Sequence, residues 1–124
     1  LKDVSREAKE LYDVLIEAQR KAVDSIRPGL SISEIHRIAQ DSVREVHPEY
    51  TREHTGHSIG VELEETPFIT SEETTRLEPN TVLCVEVPYY LKGVGGFNIE
   101  DVVLVTESGH ELLSRLPRDL HLIK

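Results

Sequence analysis

The first part of the chain repeats apolar residues at spacings of three and four, with Lys, Glu and Arg between them. The apolar positions are Leu11, Leu15, Ala18, Ala22 and Ile26. This spacing places them on one face of a long amphipathic helix. The helix should end at Arg27-Pro28-Gly29, because Pro cannot continue a helix and Gly permits a left-handed turn.

A second helix is predicted over residues 32–46, with an apolar face of its own. Ser31 is placed as its N-cap, and Glu34, three residues later, would complete a capping box. The apolar face consists of Ile35, Ile38, Ala39 and Val43. His47-Pro48 ends the helix, and His36 is interpreted as a surface or partly packed histidine.

After Pro48, glycine and proline divide the chain into short pieces. Residues 58–63, 80–90 and 97–105 are rich in Val, Ile, Leu, Phe and Tyr, which predicts strands. The glycine-rich segment 93–96 predicts a hairpin between the last two, and residues 107–110 predict another turn. Two helices followed by a mostly antiparallel sheet give an α+β fold class.

Composition narrows the kinds of partner this chain can have. Its 124 residues correspond to one domain or part of one, and the net charge is −9. Nucleic acid is not expected as a partner, because binding to phosphates relies on Lys and Arg. No run approaches the roughly 20 apolar residues of a membrane span, and no signal peptide is visible. Since the chain has no initiator methionine and no methionine elsewhere, we expect it to start part-way into a longer gene product or to have been processed.

Cys84 is the single cysteine, so the chain has no internal disulfide. This favours a cytoplasmic setting. The residue lies in the apolar run 82–85, and we interpret it as a buried, inert thiol rather than a nucleophile.

Glu86 and Glu100 each interrupt an apolar strand. Alternation of side chains puts Glu86 on the face of Cys84, and Glu100 on the face of Asn98. If the two strands pair, both carboxylates project from one face, whereas Asp101 points to the other face in a structural role. Adjacent buried carboxylates repel each other, and a divalent cation between them would remove that penalty. The alternative is that both are ordinary surface charges on a solvated face.

His57 stands between two glycines in the run 56–60, and flanking glycines let a ligand approach closely. One nitrogen with several oxygens suits Mn, Co, Zn or Fe, and a bridged pair of such metals would activate water for hydrolysis. Signatures for nucleotide binding, a serine nucleophile or a zinc finger are absent from the sequence.

The order of these motifs resembles the pita-bread metallopeptidases, a family that includes methionine aminopeptidase, aminopeptidase P and prolidase. The similar motifs are Gly-His-x-Ile-Gly at 56–60, Glu-x-x-Pro at 64–67, the strand ending in Glu86, and Gly-Gly-x-x-Ile-Glu-Asp at 95–101. The chain most resembles the proline-specific branch, the Xaa-Pro dipeptidases and aminopeptidases. The resemblance covers essentially all of residues 1–124, as the C-terminal part of a pita-bread catalytic domain.

The resemblance implies two bridged divalent metal ions, commonly Mn, Co or Zn, held by two Asp, one His and two Glu. His57, Glu86 and Glu100 match the His and Glu positions. It further implies that Glu86 handles a proton at the attacking water and that Glu100 bridges both metals. The substrate would be a short proline-containing peptide, cleaved at the bond before proline.

The sequence departs from the family pattern in three ways. The two metal-binding Asp belong upstream of the first helix, and Asp3 and Asp13 do not replace them. Glu64 stands where the family has a substrate-side His, and Asn98 stands where many proline-specific members have Arg. His54 is placed as a stand-in for a substrate-side histidine, so His54, Glu64 and Asn98 form the expected substrate-binding set.

Three functions are therefore compatible with the sequence. The first is part of a metal-dependent Xaa-Pro peptidase, with the isolated 124 residues inactive. The second is a creatinase-like C–N hydrolase, motivated by Glu64. The third is a non-catalytic pita-bread binding module, motivated by the absent Asp pair. A homodimer is expected, since an exposed sheet edge invites pairing.

Overall fold

The computed structural model of the protein describes residues 4–121. Two helices precede five strands along the chain. The helices are α1 (Arg6–Asp24) and α2 (Ile32–Arg44), and the strands are β1 (Gly56–Ser58), β2 (Glu65–Phe68), β3 (Val82–Leu91), β4 (Gly95–Thr106) and β5 (Gly109–Leu112). The predicted α+β class is confirmed. Asp13 lies in α1 as expected, whereas Asp3 lies outside the described residues.

The five strands form one antiparallel sheet in the order β2-β1-β3-β4-β5. Its centre is the β3–β4 hairpin, which pairs from Val82 with Leu104 to Leu91 with Gly95. The predicted hairpin and the turn before β5 are both confirmed. Helix α1 packs against α2 and against β3 and β4. One face of the hairpin is therefore buried in the core, and the opposite face is left for polar side chains.

Both helices form where the periodicity predicts them. All five apolar positions of the first predicted helix face are buried. Helix α1 ends at Asp24 with Ser25 as its C-cap, just ahead of Pro28. Helix α2 ends at Arg44, two residues before its predicted end, and Val46 is exposed. None of the helices in residues 4–121 is long and apolar enough to cross a membrane.

The predicted capping box at the start of α2 does not form. The Ser31 hydroxyl contacts that of Ser33 at 2.8 Å, and the Glu34 carboxylate binds Arg37. Carbonyl groups of the 70–76 loop already accept from the first amides of the helix: Ile32 N–H donates to Thr75 and Ser33 N–H to Glu73. Because those amides have partners, the side-chain cap is not needed.

The strand predicted over residues 58–63 is wrong. Strand β1 ends at Ser58, and residues 61–64 form an exposed loop in which Val61 is 99% exposed. A turn causes the break: Gly60 N–H donates to the Glu62 carbonyl, and Glu62 N–H donates to the Glu65 carboxylate at 2.8 Å. The chain then returns as β2, which pairs with β1 through a register shift at His57 and Ser58.

Asp101 has the structural role predicted for it. It is buried on the helix-facing side of β4 and accepts from Gln19 of α1 at 2.9 Å. Arg118, from the segment after β5, donates to Asp101 at 2.6 Å and to Gln19 at 3.0 Å. This network gives the buried carboxylate its partners and fastens the C-terminal segment to α1 and β4.

Candidate functional site

Glu86 of β3 and Glu100 of β4 are direct partners in the antiparallel register. Their side chains project from the face opposite the helices, as alternation predicts. The Glu86 side chain is 16% exposed and Glu100 is exposed. The β4 residues on either side of Glu100, Ile99 and Asp101, point the other way and are buried. Two carboxylates thus stand side by side on the open face of the sheet.

His57 reaches the same face from the neighbouring strand β1. It is buried, and its partner in β3 is Cys84, two residues before Glu86. The His57 Nδ1 atom lies 3.0 Å from the Ser58 carbonyl oxygen. A carbonyl oxygen only accepts, so Nδ1 carries the proton and Nε2 keeps its lone pair. Fixing the tautomer through the second ring nitrogen is typical of metal-binding histidines.

Two neutral donors contact the carboxylate pair. The Asn98 amide nitrogen lies 3.0 Å from Glu86 Oε2 and 3.2 Å from Glu100 Oε2. The Cys84 thiol donates to Glu100 Oε1 at 2.9 Å. Burial raises the pKa of the Cys84 thiol, and the hydrogen bond to Glu100 and its charge raise it further. The thiol therefore stays protonated, as expected of an inert cysteine.

His54 lies at the edge of the site. Its Nδ1 is 3.7 Å from Glu86 Oε1, and the same atom accepts from the Gly56 amide at 3.3 Å. The two contacts need different protonation states of Nδ1. An ion pair with Glu86 requires a proton on Nδ1, whereas accepting from the Gly56 amide requires the lone pair of Nδ1. The amide contact is the shorter and has hydrogen-bond geometry, so we assign a neutral His54 with an accepting Nδ1.

The predicted residues are gathered unequally. His54, Asn98 and the two carboxylates are within direct contact, whereas Glu64 lies on the exposed loop between β1 and β2. Within residues 4–121, no three His, Cys, Asp or Glu side chains converge closely enough to hold a metal ion. The chemistry of the donors nevertheless fits part of a divalent-metal site: one imidazole with a free Nε2 and two adjacent carboxylates.

Thr55 was not singled out from the sequence, yet it links the site to the helices. Its carbonyl accepts from the Glu86 amide at 3.0 Å, and its amide donates to Ile69. Its hydroxyl contacts His36 Nδ1 of α2 at 2.9 Å. His36 is buried, so of the two predicted positions the surface one was wrong and the packed one is nearer to what is observed. The sequence offered one signal for this role of Thr55, its position between His54 and Gly56. That pattern is too common to mark a functional residue.

Lowering the pH should destabilise the fold through His36. Burial lowers the pKa of His36 and the charge of Arg44 lowers it further, while a backbone hydrogen bond at Ile69 opposes them. The buried, neutral form of His36 therefore contributes its full stabilisation above about pH 6.5, the pKa of histidine in the unfolded chain. That contribution is lost as pH falls from there through the folded pKa, at no more than about 1.4 kcal/mol per pH unit.

Urea unfolding between pH 7.5 and pH 5 measures this effect. The variant His36→Gln should show a shallower dependence than the unchanged chain. Equal slopes in the two proteins would contradict the assignment.

This chain is similar to known metallopeptidases, which agrees with donors that suit a divalent metal ion. Residues 1–107 match the profile of metallopeptidase family M24. A Xaa-Pro dipeptidase of Pyrococcus horikoshii is 35% identical over 113 residues, which are 90% of this chain and 32% of that protein. The solved Xaa-Pro dipeptidase from Bacillus anthracis superposes with a TM-score of 0.89 at 36% identity, over 95% of this chain and 34% of that one.

A more distant solved structure has the same fold. The methionine aminopeptidase from Rickettsia prowazekii superposes with a TM-score of 0.72 at 25% identity. The match covers 89% of this chain and 53% of that one. The chain spans about a third of the length of the curated relatives it matches.

Proposed function

The chain belongs to metallopeptidase family M24 and has the pita-bread fold of its prolidase members, and from this premise we propose that it is the C-terminal part of a catalytic domain that hydrolyses the peptide bond before proline. The relatives named Xaa-Pro dipeptidase support this substrate class. Because the chain spans a third of their length, we assign the two further Asp ligands to a preceding segment of the complete protein.

One observation carries the proposal: Glu86 and Glu100 are direct cross-strand partners on the face that His57 reaches from β1. In the complete domain these three residues would hold two divalent ions, with Mn, Co or Zn as candidates. When bound, such ions supply activation of water and stabilisation of a developing oxyanion. The Nε2 atom of His57 and the carboxylates of Glu86 and Glu100 are the donors this chain would provide.

Glu86 is the candidate for moving the proton. Its Oε1 accepts no hydrogen bond from the described residues, whereas Asn98 occupies Oε2. Glu100, whose carboxylate lies beside that of Glu86, would hold the ions together with it, in the role that the family resemblance implies. His54 and Glu64 remain predicted substrate contacts. The neutral His54 beside Glu86 suits hydrogen bonding to an uncharged peptide group.

Proline release tests this function directly. The complete gene product, supplied with Mn²⁺ or Co²⁺, should release proline from a Xaa-Pro dipeptide, and Glu86→Gln should abolish the release. Turnover of a small non-peptide amide without proline release would instead favour a creatinase-like C–N hydrolase. If neither substrate is turned over in the presence of either ion, the enzyme proposal fails in favour of a binding module.

The isolated 124 residues should bind divalent metal weakly and lack activity. The reason is that they provide three of the five expected ligands, and that within residues 4–121 Glu86 and Glu100 stand together with no Lys or Arg within 4.0 Å. Calorimetric titration with Mn²⁺ or Co²⁺ should therefore give no sub-micromolar binding. Tight binding that His57→Ala abolishes would contradict this expectation.

We also propose that the protein is a cytoplasmic homodimer. Among residues 4–121 the edges of the sheet are the short strands β2 and β5, and an exposed sheet edge invites pairing with another chain. Close to β5, Leu112, Leu113 and Leu116 are exposed. Light scattering of the complete protein should give twice the mass of one chain, and a monomer at micromolar concentration would oppose the proposal.

A further inference from the structure

Asn98 uses its side-chain amide on both candidate metal ligands. It lies on β4 opposite Pro88, two residues before Glu100 and therefore on the same face of the strand. The amide nitrogen is 3.0 Å from Glu86 Oε2 and 3.2 Å from Glu100 Oε2. An amide group has two N–H bonds, so one is available to each carboxylate.

The carboxylate pair is oriented without a strong cation. Among the described residues, no Lys or Arg lies within 4.0 Å of Glu86 or Glu100, and the nearest basic group is His54 at 3.7 Å from Glu86. Like charges on direct cross-strand partners destabilise a sheet. A neutral amide fixes the carboxylates while leaving their charge intact for a dication. A hydrogen bond to one lone pair also leaves the second lone pair of each oxygen free.

The thiol of Cys84 completes the arrangement. It donates to the other Glu100 oxygen, Oε1, at 2.9 Å. Both oxygens of Glu100 are therefore held, whereas Glu86 is held through Oε2 alone. Glu100 is therefore the more firmly held of the two carboxylates, and Glu86 keeps one oxygen that accepts no hydrogen bond from residues 4–121.

We propose that Asn98 is a positioning residue, which holds Glu86 and Glu100 in the geometry that binds metal, instead of the substrate contact that the sequence predicts. The proposal rests on the function proposed above, because it requires the two carboxylates to be metal ligands. Residues that orient metal ligands in this way are typically worth 10–100-fold in metal affinity.

The experiment uses the complete gene product stripped of metal and titrated with Mn²⁺ by calorimetry. Asn98→Ala and Asn98→Leu should each weaken Mn²⁺ binding about 10–100-fold. The second variant keeps a similar volume without the donors. Thr106→Ala, a half-buried residue of the same strand face away from the site, serves as the matched control and should bind as tightly as the unchanged protein. Asn98 is exposed, so its substitution should leave the melting temperature unchanged.

Kinetics separate positioning from substrate binding. With saturating Mn²⁺, both Asn98 variants should recover the KM for a Xaa-Pro dipeptide. Unchanged Mn²⁺ affinity, or a KM that stays raised at saturating metal, would overturn the proposal. His57→Ala tests the site itself: if that variant binds Mn²⁺ like the unchanged protein, the metal site and the proposed function fail, whatever Asn98 does.

Discussion

Replacing Gly56 by alanine should lower the free energy of unfolding by more than about 3 kcal/mol. We expect this loss to be larger than that from replacing any other described glycine by alanine. A Cβ at this position would lie 1.9 Å from the Cys84 carbonyl oxygen and 3.2 Å from Val85 Cα. Both contacts are with backbone, so no side chain can move aside. Gly56 also has φ +127°, a conformation that residues with a side chain rarely adopt.

The damage from Gly56→Ala should extend to function. Gly56 pairs with Val85, and its neighbours His57 and Thr55 contact β3 directly. Relief of the clash requires β1 to move away from β3, which carries His57 away from Glu86. Urea unfolding of the variant should therefore show a large loss of stability, and the complete protein should lose metal binding as well.

Gly93→Ala is the matched control for Gly56→Ala. Gly93 has φ +85° in the β3–β4 turn, and a Cβ there would meet nothing within 4 Å. Its substitution involves backbone strain alone, on the order of 1–3 kcal/mol. Equal losses in the two variants would show that the close approach of β1 to β3 is not what requires glycine at position 56.

Replacing Glu100 by glutamine should have opposite effects on stability and on activity. In the 124-residue chain, the change removes a like-charge pair between cross-strand partners, so the free energy of unfolding should rise by about 0.2–1 kcal/mol. In the complete protein it would remove a carboxylate that we propose to bind metal. Since residues that only orient a ligand already account for 10–100-fold, kcat/KM for a Xaa-Pro dipeptide should fall by at least about a hundredfold.

The control for Glu100→Gln is Glu111→Gln. Glu111 is an exposed residue of β5, paired with Leu104 on the same sheet. This change should alter stability by less than about 0.5 kcal/mol and leave kcat/KM unchanged. If the Glu100→Gln protein keeps its activity, Glu100 is not a metal ligand and the proposed site is wrong.

The sequence predicts best those elements whose pattern reflects one buried face. Helix α1 and the β3–β4 hairpin belong to this group, because strict periodicity and the glycines of the turn agree. The loop at 61–64 misleads because Val61 and Leu63 mimic strand alternation. The turn that holds it depends on Glu62 and Glu65, a contact within the loop that no periodicity reveals.

The candidate site divides in the same way. Alternation, together with the predicted pairing of the two strands, places Glu86 and Glu100 on one face, and the observed register makes them direct partners. The amide contacts of Asn98 depend on register and rotamer together, which sequence patterns do not specify. The burial of His36 behind Thr55 depends on how α2 packs against the chain before β1. Contacts between elements are therefore the part that required the structure.

Metal content of the complete protein tests the central claim most directly, namely that His57, Glu86 and Glu100 belong to one two-metal site. The protein should be loaded with Mn²⁺, freed of excess metal and analysed by elemental mass spectrometry, beside His57→Ala and Glu100→Gln. We predict two ions per chain in the unchanged protein and a clear loss in both variants. Equal metal content in all three folded proteins would contradict the account.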